Sequence, residues 1–240
     1  MTNMPAIISL SNPKSPEAEA YRTLRTNLQF STVDHELQTI LVTSPNPAEG
    51  KTTTICNLAV SFAQIGKKVL IIDGDLRRPR LHTYLGLSNT VGISNVLTQN
   101  LPVQEAMKES MLDIQVLTCG PTPPNPAELL NSNRLKELLN QLKQHFDIIL
   151  IDTPPVGVVT DAAILSTLVD GTLMVIASHQ TESDQAVRAM KLLQTVGAKV
   201  LGTVLTKVPA DRKGYYGYQY YEYHAEVSQK GHKSKKRRVR

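Results

Sequence analysis

The chain has 240 residues, of which 41% are hydrophobic, and this is enough for one sizeable core. It contains no run of about 18 apolar residues and opens with no secretory signal, so a soluble, cytoplasmic protein is expected. Cys56 and Cys119 have no CxxC or Cys/His spacing, which argues against a disulfide framework and a zinc site.

The positive charge of the chain is concentrated at its end. The net charge is +5, but the last twelve residues, QKGHKSKKRRVR, hold seven Lys or Arg and no acid, so the remaining residues sum to −2. The basic character therefore belongs to a tail and not to the globular part.

The first predicted element is a helix over SPEAEAYRTLRTNLQF. Ser15 suits the N-cap and Pro16 the first helical position. Glu19, Arg22 and Arg25 then recur every three residues on one stripe. From the residues alone, this stripe is read as a solvated charged face with a Glu19/Arg22 pair.

Short apolar runs then alternate with helical patterns. The predicted strands are TILVTS (39–44), KVLIID (68–73), IQVLTCG (114–120), DIILID (147–152), GTLMVIAS (171–178) and KVLGTVLT (199–206). Helices are predicted over KTTTICNLAVSFAQIG, over NPAELLNSNRLKELLNQLKQHF as one long helix, and over DQAVRAMKLLQTVG, while the region up to about residue 112 reads as irregular with short helices.

Strands that are apolar along their whole length indicate a sheet covered on both faces. We therefore predict an α/β fold with a mostly parallel central sheet and helices on both faces. Ligands in such sheets bind beyond the carboxyl ends of the strands. After residue 206 the sequence has few aliphatic and many charged residues, which predicts a disordered C-terminal tail.

The segment SPNPAEGKTT is a candidate phosphate-binding loop, since it follows a predicted strand and opens a helix. Backbone N–H groups there can hold phosphates, Lys51 can neutralise the β/γ oxygens, and the Thr52 hydroxyl can bind Mg²⁺. Pro45 replaces the first glycine of the consensus, so an ordinary strand-to-helix turn with a surface lysine remains the alternative on this segment alone.

Three acids strengthen the phosphate-site interpretation. Asp73 and Asp75 follow one predicted buried strand and Asp152 follows another, so all three should face the same edge of the sheet as the loop. Carboxylates beside a phosphate site suit Mg²⁺ coordination and proton abstraction.

These motifs carry a family resemblance. The Walker A segment SPNPAEGKTT, the Walker A′ segment LIIDGDLRRPR and the Walker B segment ILIDTPP occur in the order seen in bacterial tyrosine kinases of the capsular and exopolysaccharide biosynthesis type. That family belongs to the P-loop ATPases related to MinD and ParA. The resemblance runs from about Pro13 to Tyr223 and includes GPTPPNPAELLNS. The family tolerates a residue other than glycine at the position of Pro45.

The resemblance implies roles for the site residues. Lys51, Asp73 and Asp75 would be catalytic, with Asp73 accepting the proton of the incoming tyrosine. Mg²⁺ would be held by Thr52, Asp75 and Asp152, partly through water. The implied ATP-binding residues are Glu49, Gly50, Lys51, Thr52 and Thr53.

Six of the eight tyrosines lie within nine residues, YYGYQYYEY. Their composition alone also fits stacking on single-stranded nucleic acid or an adhesive low-complexity tail. The resemblance implies that they are phosphoacceptors, modified in trans, and the roughly 45–50 Å that an extended chain from Thr206 to Tyr220 can span would reach a neighbouring subunit. The implied acceptors are Tyr215, Tyr216, Tyr218, Tyr220, Tyr221 and Tyr223.

The resemblance also implies partners and a domain plan. Glu19, Arg22 and Arg25 match the element through which such kinases assemble into rings. A membrane-spanning activator would recruit the chain to the inner face of the membrane, and a tyrosine phosphatase would reverse its reaction, while nucleic acid is not expected as a partner. The plan is an N-terminal segment with the oligomerisation helix (1–36), a kinase domain (37–210) and a Tyr-rich basic tail (211–240).

We therefore expect an ATP- and Mg²⁺-dependent protein-tyrosine autokinase that regulates capsular or exopolysaccharide synthesis and export. The alternative is a MinD/ParA-like ATPase switch without kinase activity. That group typically has a lysine early in the loop, and here the corresponding position is Asn46.

Overall fold

The computed structural model describes residues 7–31 and 36–209, and within them the apolar runs form a single seven-stranded sheet. The strands are β1 (Thr39–Thr43), β2 (Val69–Asp73), β3 (Met107–Glu109), β4 (Gln115–Leu117), β5 (Ile148–Asp152), β6 (Gly171–Ala177) and β7 (Val200–Thr206). Their order across the sheet is β3-β4-β2-β5-β1-β6-β7, and every neighbouring pair is parallel except β3 with β4.

The helices cover both faces of this sheet. They are α1 (Ile8–Ser11), α2 (Pro16–Gln29), α3 (Lys51–Ala63), α4 (Leu81–Leu85), α5 (Ile93–Gln99), α6 (Val103–Ala106), α7 (Pro126–Leu130), α8 (Asn133–Leu142), α9 (Asp161–Ser166) and α10 (Ser183–Thr195). A short 3₁₀ turn spans Met111–Asp113. Alternate residues of β1 divide between two cores, with Ile40 and Val42 packed in the core that includes α3 and Leu41 packed in the core that includes α5 and α8. The predicted mostly parallel α/β sheet is therefore confirmed.

Two local predictions were wrong. The pattern over 125–146 was read as one long helix, but the chain breaks at Ser132, whose hydroxyl caps α8 by accepting a hydrogen bond from the Leu135 amide at 3.3 Å. Asn131-Ser132 competes with the helical hydrogen bonds there, because short polar side chains favour helix starts. The three-residue edge strand β3 was not predicted, since its apolar content is too low to distinguish it from irregular chain.

The N-terminal helix has the predicted start. Ser15 Oγ accepts a hydrogen bond from the Ala18 amide at 3.1 Å, and Pro16 is the first helical residue. The buried face of α2, which includes Ala18 and Leu28, packs toward α3. The described chain as far as Lys207 belongs to one compact unit.

Within the described residues, no helix is long and apolar enough to cross a bilayer. The six tyrosines of the predicted tail and its basic end lie outside the described residues. The three-part domain plan stays a prediction.

Asp170 holds together the starts of two neighbouring strands and the end of a helix. Its carboxylate accepts hydrogen bonds from the Gln38 and Thr39 amides (3.1 and 2.8 Å), from the Thr39 hydroxyl (2.9 Å) and from Lys143 Nζ (2.7 Å). Partial burial raises the pKa of Asp170, but the hydrogen bonds from Lys143 and Thr39 outweigh it, so the pKa lies below its ordinary value. The ionised form is therefore the one that the fold stabilises.

We expect Asp170→Asn to lower the free energy of unfolding at pH 7 by about 1–3 kcal/mol, because an amide cannot accept all four hydrogen bonds. A carboxylate with a lowered pKa stabilises the fold above its unfolded pKa, and this contribution is lost as pH falls through the folded pKa. The difference between wild type and variant should therefore shrink below about pH 4, measured by urea unfolding across pH. Glu137→Gln on the exposed face of α8 is the matched control, and a difference independent of pH would contradict the assignment.

Candidate active site

The loop between β1 and α3, residues 44–50 and hereafter the P-loop, presents the start of a 13-residue helix to the carboxyl edge of the sheet. Gly50 has φ +97°, a left-handed conformation that side chains rarely adopt, and it turns the chain directly into α3. The first amides of α3, those of Lys51, Thr52 and Thr53, have no partner within the helix. Together with the helix dipole they suit an anion.

Lys51 points back over the P-loop, where its Nζ donates to Ser44 Oγ at 3.0 Å. Burial lowers the pKa of Lys51 from its ordinary value, and the nearby carboxylates of Asp152 and Asp75 oppose this shift. The ammonium group is thus already desolvated and has only a weak neutral partner, as suits a group that binds phosphate oxygens.

Asp152 at the end of β5 is buried, with 5% of its surface exposed, and accepts a 2.5 Å hydrogen bond from the Thr52 hydroxyl through Oδ2. Its other oxygen, Oδ1, is buried and has no hydrogen-bond partner among the described residues. Burial raises the pKa of Asp152 to about 6, against the hydrogen bond from Thr52 and the charge of Lys51. The carboxylate therefore has one free coordination position next to a hydroxyl.

Asp73 ends β2 and lies directly opposite Asp152 in the parallel register of β2 with β5. It is 1% exposed and accepts hydrogen bonds from the Asp75 and Leu81 amides, both at 3.2 Å. Burial, reinforced by the negative charges of Asp152 and Asp75, raises the pKa of Asp73 well above its ordinary value. These two amides fix the orientation of a carboxylate that is unusually basic for its type.

The segment after Asp73 is fixed by its own side chains. Asp75 Oδ1 accepts hydrogen bonds from the amides of Arg77 (3.2 Å) and Arg78 (2.9 Å). The Arg77 guanidinium makes a two-point ion pair with the fully buried Asp161 at the start of α9, at 2.8 and 3.0 Å. Two-point pairing of this kind restricts the guanidinium plane, so the Walker A′ segment is held to α9.

These groups line one cavity of about 720 Å³ at the carboxyl edge of the sheet. It brings together most of the residues that the sequence proposed for the site. They are Gly50, Lys51, Thr52, Thr53, Asp73, Asp75 and Asp152, joined by Pro47, Ala48, Arg77, Arg78, Arg80, Tyr84, Val158, Val159, Lys207 and the segment 153–155. The expectation that the three acids share an edge with the P-loop is met.

Glu49 is the exception among the proposed ATP-binding residues, since its side chain does not line the cavity. It is 3% exposed and its Oε1 accepts hydrogen bonds from Asn46 Nδ2 at 3.1 Å and from the Thr181 hydroxyl at 2.6 Å. The backbone carbonyl of Glu49 accepts from the Thr206 hydroxyl at 2.6 Å. Glu49 therefore fastens the P-loop to the ends of β6 and β7, and we call this set of hydrogen bonds the P-loop latch.

The surroundings of Pro45 show how the loop accommodates a residue other than the consensus glycine. The carbonyl oxygen of Pro45 approaches Gly157 so closely that a Cβ on Gly157 would lie 2.4 Å from it. The neighbouring Ser44 carbonyl accepts the Val156 amide at 2.9 Å. The residue that replaces the consensus glycine is thus packed against the loop after β5, away from the cavity.

The proposed interface residues lie on α2 and do not line the cavity. Arg22 pairs with Glu19 at 2.6 Å and also donates to the Pro13 carbonyl at 2.8 Å. Arg25 donates to the carbonyl of Ser61, near the end of α3, at 2.7 Å. The intrahelical pair is present in the folded chain, and the interface role stays a prediction.

A cation would not be held by carboxylates alone. Among residues 7–31 and 36–209, no three His, Cys, Asp or Glu side chains are grouped so that they could hold a metal ion. The unpartnered Oδ1 of Asp152 beside the Thr52 hydroxyl nevertheless fits a hard cation that also binds phosphate oxygens. The residues present therefore fit a Mg²⁺–nucleotide complex better than an isolated ion.

Several residues that shape the site gave no recognisable signal in the sequence. Asp161, which fixes Arg77, and Thr181 and Thr206, which fix Glu49, are each more than 80 positions from their partner. Only the sheet order brings them together. The position of Thr206 at the end of a predicted strand is the single clue, since that end faces the same edge as the P-loop.

Comparison with known proteins agrees with this geometry. A family described as "AAA domain" matches residues 37–200. Tyrosine-protein kinase YwqD of Bacillus subtilis (strain 168) is 45% identical over 213 residues, which cover 88% of this chain and 90% of that protein. A putative tyrosine-protein kinase, CapB of Staphylococcus aureus, is 41% identical over 211 residues, which cover 88% of this chain and 92% of that protein.

Solved structures share the fold. The crystal structure of the chimerical protein CapA2B2 matches with a TM-score of 0.81 and 39% identity, over 85% of this chain and 90% of that one. The septum site-determining protein MinD of Pyrococcus horikoshii OT3, complexed with Mg-ADP, matches with a TM-score of 0.60 and 25% identity, over 70% of each chain.

Asp152→Asn should stabilise the nucleotide-free chain, because the amide oxygen still accepts from Thr52 and no charge is buried. The folded pKa of about 6 exceeds the ordinary value of 3.8, so the contribution of Asp152 to stability is fully present below about pH 4 and is lost as pH rises through 6. We expect a gain in unfolding free energy of about 3 kcal/mol at pH 8 and almost none at pH 4. Calorimetry at both pH values tests this, and a gain of equal size at both would refute it.

Thr181→Val tests the P-loop latch, because it keeps the shape of the side chain and removes the hydroxyl that donates to Glu49 and also accepts from the Ala177 amide at 3.1 Å. The loosened loop should raise the KM for ATP by about threefold to tenfold, in line with the loss of one hydrogen bond to a carboxylate. Thr195→Val on α10, whose hydroxyl bonds only to its own helix at the Lys191 carbonyl, is the matched control. Equal KM values for both variants would show that the latch does not position the loop.

Proposed function

Since the chain belongs to the bacterial tyrosine-protein kinases, we propose that the tyrosines of its own C-terminal cluster are its principal substrate. The reaction of the family transfers the γ-phosphoryl group of ATP to a tyrosine hydroxyl, giving ADP and phosphotyrosine. The proposed acceptors are Tyr215, Tyr216, Tyr218, Tyr220, Tyr221 and Tyr223, modified in trans between subunits.

The observation that carries this proposal is the composition of the cavity. One cavity of about 720 Å³ holds both groups of residues. The desolvated Lys51 and the start of α3 lie beside β1, and Asp73, an oriented carboxylate with a raised pKa, lies at the end of β2. Phosphoryl transfer needs mainly alignment and charge neutralisation between such groups. A MinD/ParA-like switch would need no base for an incoming hydroxyl.

The P-loop and Asp152 are the proposed nucleotide and Mg²⁺ site. Lys51 and the amides of Gly50, Lys51, Thr52 and Thr53 would hold the phosphates, while the Glu49 side chain supports the loop from behind. Thr52 would bind Mg²⁺ directly, and Asp75 and Asp152 would hold it partly through water. The ion would neutralise charge on the phosphate oxygens and polarise the γ-phosphoryl group.

Asp73 is the proposed general base. A tyrosine hydroxyl has an ordinary pKa of about 10 and is protonated at neutral pH, so its attack requires a proton acceptor. As the hydroxyl oxygen bonds to the γ-phosphorus, the bond from that phosphorus to the β,γ-bridging oxygen breaks and the electron pair leaves with ADP. The phenolic proton passes to Asp73, whose orientation is fixed by the amides of Asp75 and Leu81.

The length of the chain after the fold permits phosphorylation in trans. Tyr215 is eight positions beyond Lys207, so an extended chain reaches at most about 26–29 Å from the cavity rim, and Tyr223 at most about 53–58 Å. Such distances permit both the chain's own site and that of a neighbour. Assembly into a ring through Glu19, Arg22 and Arg25 would favour the neighbour by raising its local concentration.

The cellular role rests on the family resemblance. We place the kinase at the inner face of the cell membrane, recruited by a membrane-spanning activator that belongs to the machinery for capsular or exopolysaccharide synthesis and export. A tyrosine phosphatase would remove the phosphates from the tail tyrosines. Six phosphates would add roughly −9 to −12 charges, enough to reverse the seven cations at the end of the chain.

The central test is phosphotyrosine mapping after incubation with labelled ATP and Mg²⁺ in the presence of the activator's cytoplasmic fragment. Label is expected at residues 215–223, and Lys51→Met should reduce it by at least about a hundredfold, because the phosphates lose their principal cation. Lys136→Met, an equal loss of charge on the exposed face of α8, is the control. Label confined to other residues would overturn the proposed acceptors.

A mixing experiment separates trans from cis transfer. The Lys51→Met chain keeps its tyrosines but cannot transfer phosphate, and a second chain in which all six tyrosines are changed to Phe can transfer but not accept. Label on the Lys51→Met chain in the mixture is the expected result of transfer in trans. A mixture without label, with an active wild-type sample beside it, would contradict it.

A further inference from the structure

The cavity contains two cations that the proposed transfer does not use. Of its five cationic side chains, Lys51 donates to Ser44, Arg77 is paired with Asp161, and Lys207 donates to the carbonyl of Ala48 and to Gln180, both at 2.7 Å. The remaining two are Arg78 and Arg80. Both are exposed, and within the described part of the chain neither side chain has a hydrogen bond or an ion pair.

The backbone fixes where these two arginines emerge. The Arg78 amide is bonded to Asp75, and Leu81, the residue after Arg80, donates its amide to Asp73 at 3.2 Å. The segment that carries both arginines is thus clamped at two points to the acidic end of β2. Their guanidinium groups are exposed, but these hydrogen bonds hold the backbone of Arg78 and Arg80 in place.

Position in the sheet separates the two arginines from the P-loop. The strand order places β5 between β2 and β1, so the ends of β2 and β1 lie two strand spacings, or roughly 9–10 Å, apart. ATP phosphates at the P-loop lie over β1 and α3, whereas the acceptor hydroxyl must come close to Asp73 on β2. Arg78 and Arg80 therefore lie on the side where the acceptor segment enters.

The acceptor segment has an unusual property for a substrate. After the first transfer, at least two of the remaining tyrosines lie within three positions of the phosphotyrosine, since six tyrosines occupy nine positions. Along an extended segment, two residues separated by three positions lie at most about 10–11 Å apart. A phosphate beside the reacting tyrosine would thus reach groups just outside the position of the base.

We propose that Arg78 and Arg80 form a phosphotyrosine-binding subsite that recognises a tail already carrying one phosphate and holds it while a neighbouring tyrosine enters the site of transfer. The inference rests on the proposed function, since it assumes that the tail is the acceptor. Arginine forms two-point, charge-assisted hydrogen bonds with phosphate, and two unpaired arginines offer enough donors for its oxygens.

The consequence is that each phosphorylation promotes the next. An unmodified tail has little negative charge to offer, since Glu222 and Glu226 are the only acids within residues 213–227. A phosphotyrosine adds a charge of about −1.5 to −2 at neutral pH. The first transfer is then the slow one, and the cluster passes from unmodified to heavily modified with few intermediates.

The alternative ligand for Arg78 and Arg80 is the nucleotide. Arg80 is close enough to Lys51 for its charge to help lower the pKa of that lysine, although burial is the main cause. If the arginines served ATP, their removal would raise the KM for ATP and leave the choice between acceptors unchanged. The two occupants therefore predict different kinetic effects.

The test uses the full-length chain with its six tyrosines changed to Phe, together with the activator's cytoplasmic fragment, so that only added peptides accept phosphate. The peptides span residues 211–226 with Tyr220 as the sole acceptor and either phosphotyrosine or Phe at position 223. The variants are Arg78→Gln and Arg80→Gln, and Arg188→Gln on the exposed face of α10 is the matched control. Peptide KM, kcat and ATP KM are measured, and binding of the labelled phosphopeptide is followed by fluorescence anisotropy without ATP.

We expect the parent to have a KM about tenfold lower for the phosphopeptide than for its Phe counterpart, the effect of one additional charge-assisted interaction. Each arginine variant should reduce this ratio to about threefold or less and weaken anisotropy binding in parallel, while the Arg188 variant keeps it.

Equal KM values for the two peptides in the parent, or a ratio preserved in both arginine variants, would overturn the subsite. A rise in ATP KM with an unchanged peptide ratio would reassign the arginines to the nucleotide. If neither peptide is phosphorylated, the proposed acceptor fails instead, and the anisotropy measurement alone then decides whether Arg78 and Arg80 bind phosphotyrosine.

Discussion

The register between β2 and β5 is the constraint on which the rest of the site depends. It sets Asp73 directly opposite Asp152, so two buried carboxylates end neighbouring strands about 4.8 Å apart. Like charges at this separation and with little water repel each other, and burial together with this repulsion raises the pKa of Asp73. The surrounding structure offsets the repulsion with directed donors, namely the Thr52 hydroxyl on one acid and two backbone amides on the other.

This compensation is incomplete, and its incompleteness is what makes the site reactive. One oxygen of Asp152 has no partner and Lys51 has only a serine hydroxyl, so charges of both signs are desolvated and weakly satisfied. The magnesium nucleotide proposed for this site would supply the missing partners for both. The folded chain thus keeps a local electrostatic cost that its substrate complex removes, which agrees with the general observation that perturbed acids and bases gather at active sites.

The sequence alone predicted the parts of this arrangement that depend on local pattern. Apolar runs located six of the seven strands, and the residues just after β1, β2 and β5 identified the phosphate loop and all three acids, because the ends of parallel strands share an edge. The break at Ser132 was missed because the apolar periodicity continues across the residue that caps α8. Strand β3 was missed because an edge strand buries too little surface to need apolar residues.

The hydrogen bonds between distant residues that support the site could not be predicted from the sequence, for a different reason. The contact of Glu49 with Thr181 and that of Arg77 with Asp161 each join residues far apart in the chain whose meeting depends on the order of the strands. Glu49 shows the limit well. The resemblance implied a nucleotide contact for Glu49, and this stays a prediction, whereas its carboxylate is bonded to Asn46 and Thr181 and supports the loop from behind.

Under the proposed function, the end of β7 would set the order in which substrates are modified. Thr206 and Lys207 are bonded to the carbonyls of Glu49 and Ala48, so the chain leaves the fold at the loop proposed to hold ATP. Acceptors joined to the fold by so few residues would be present at an effective concentration in the millimolar range. An outside protein at micromolar concentration would compete poorly with them. Such a protein would be modified mainly after the tethered tyrosines had been used, so the number of tyrosines in the tail would set a delay before the kinase turned to other substrates.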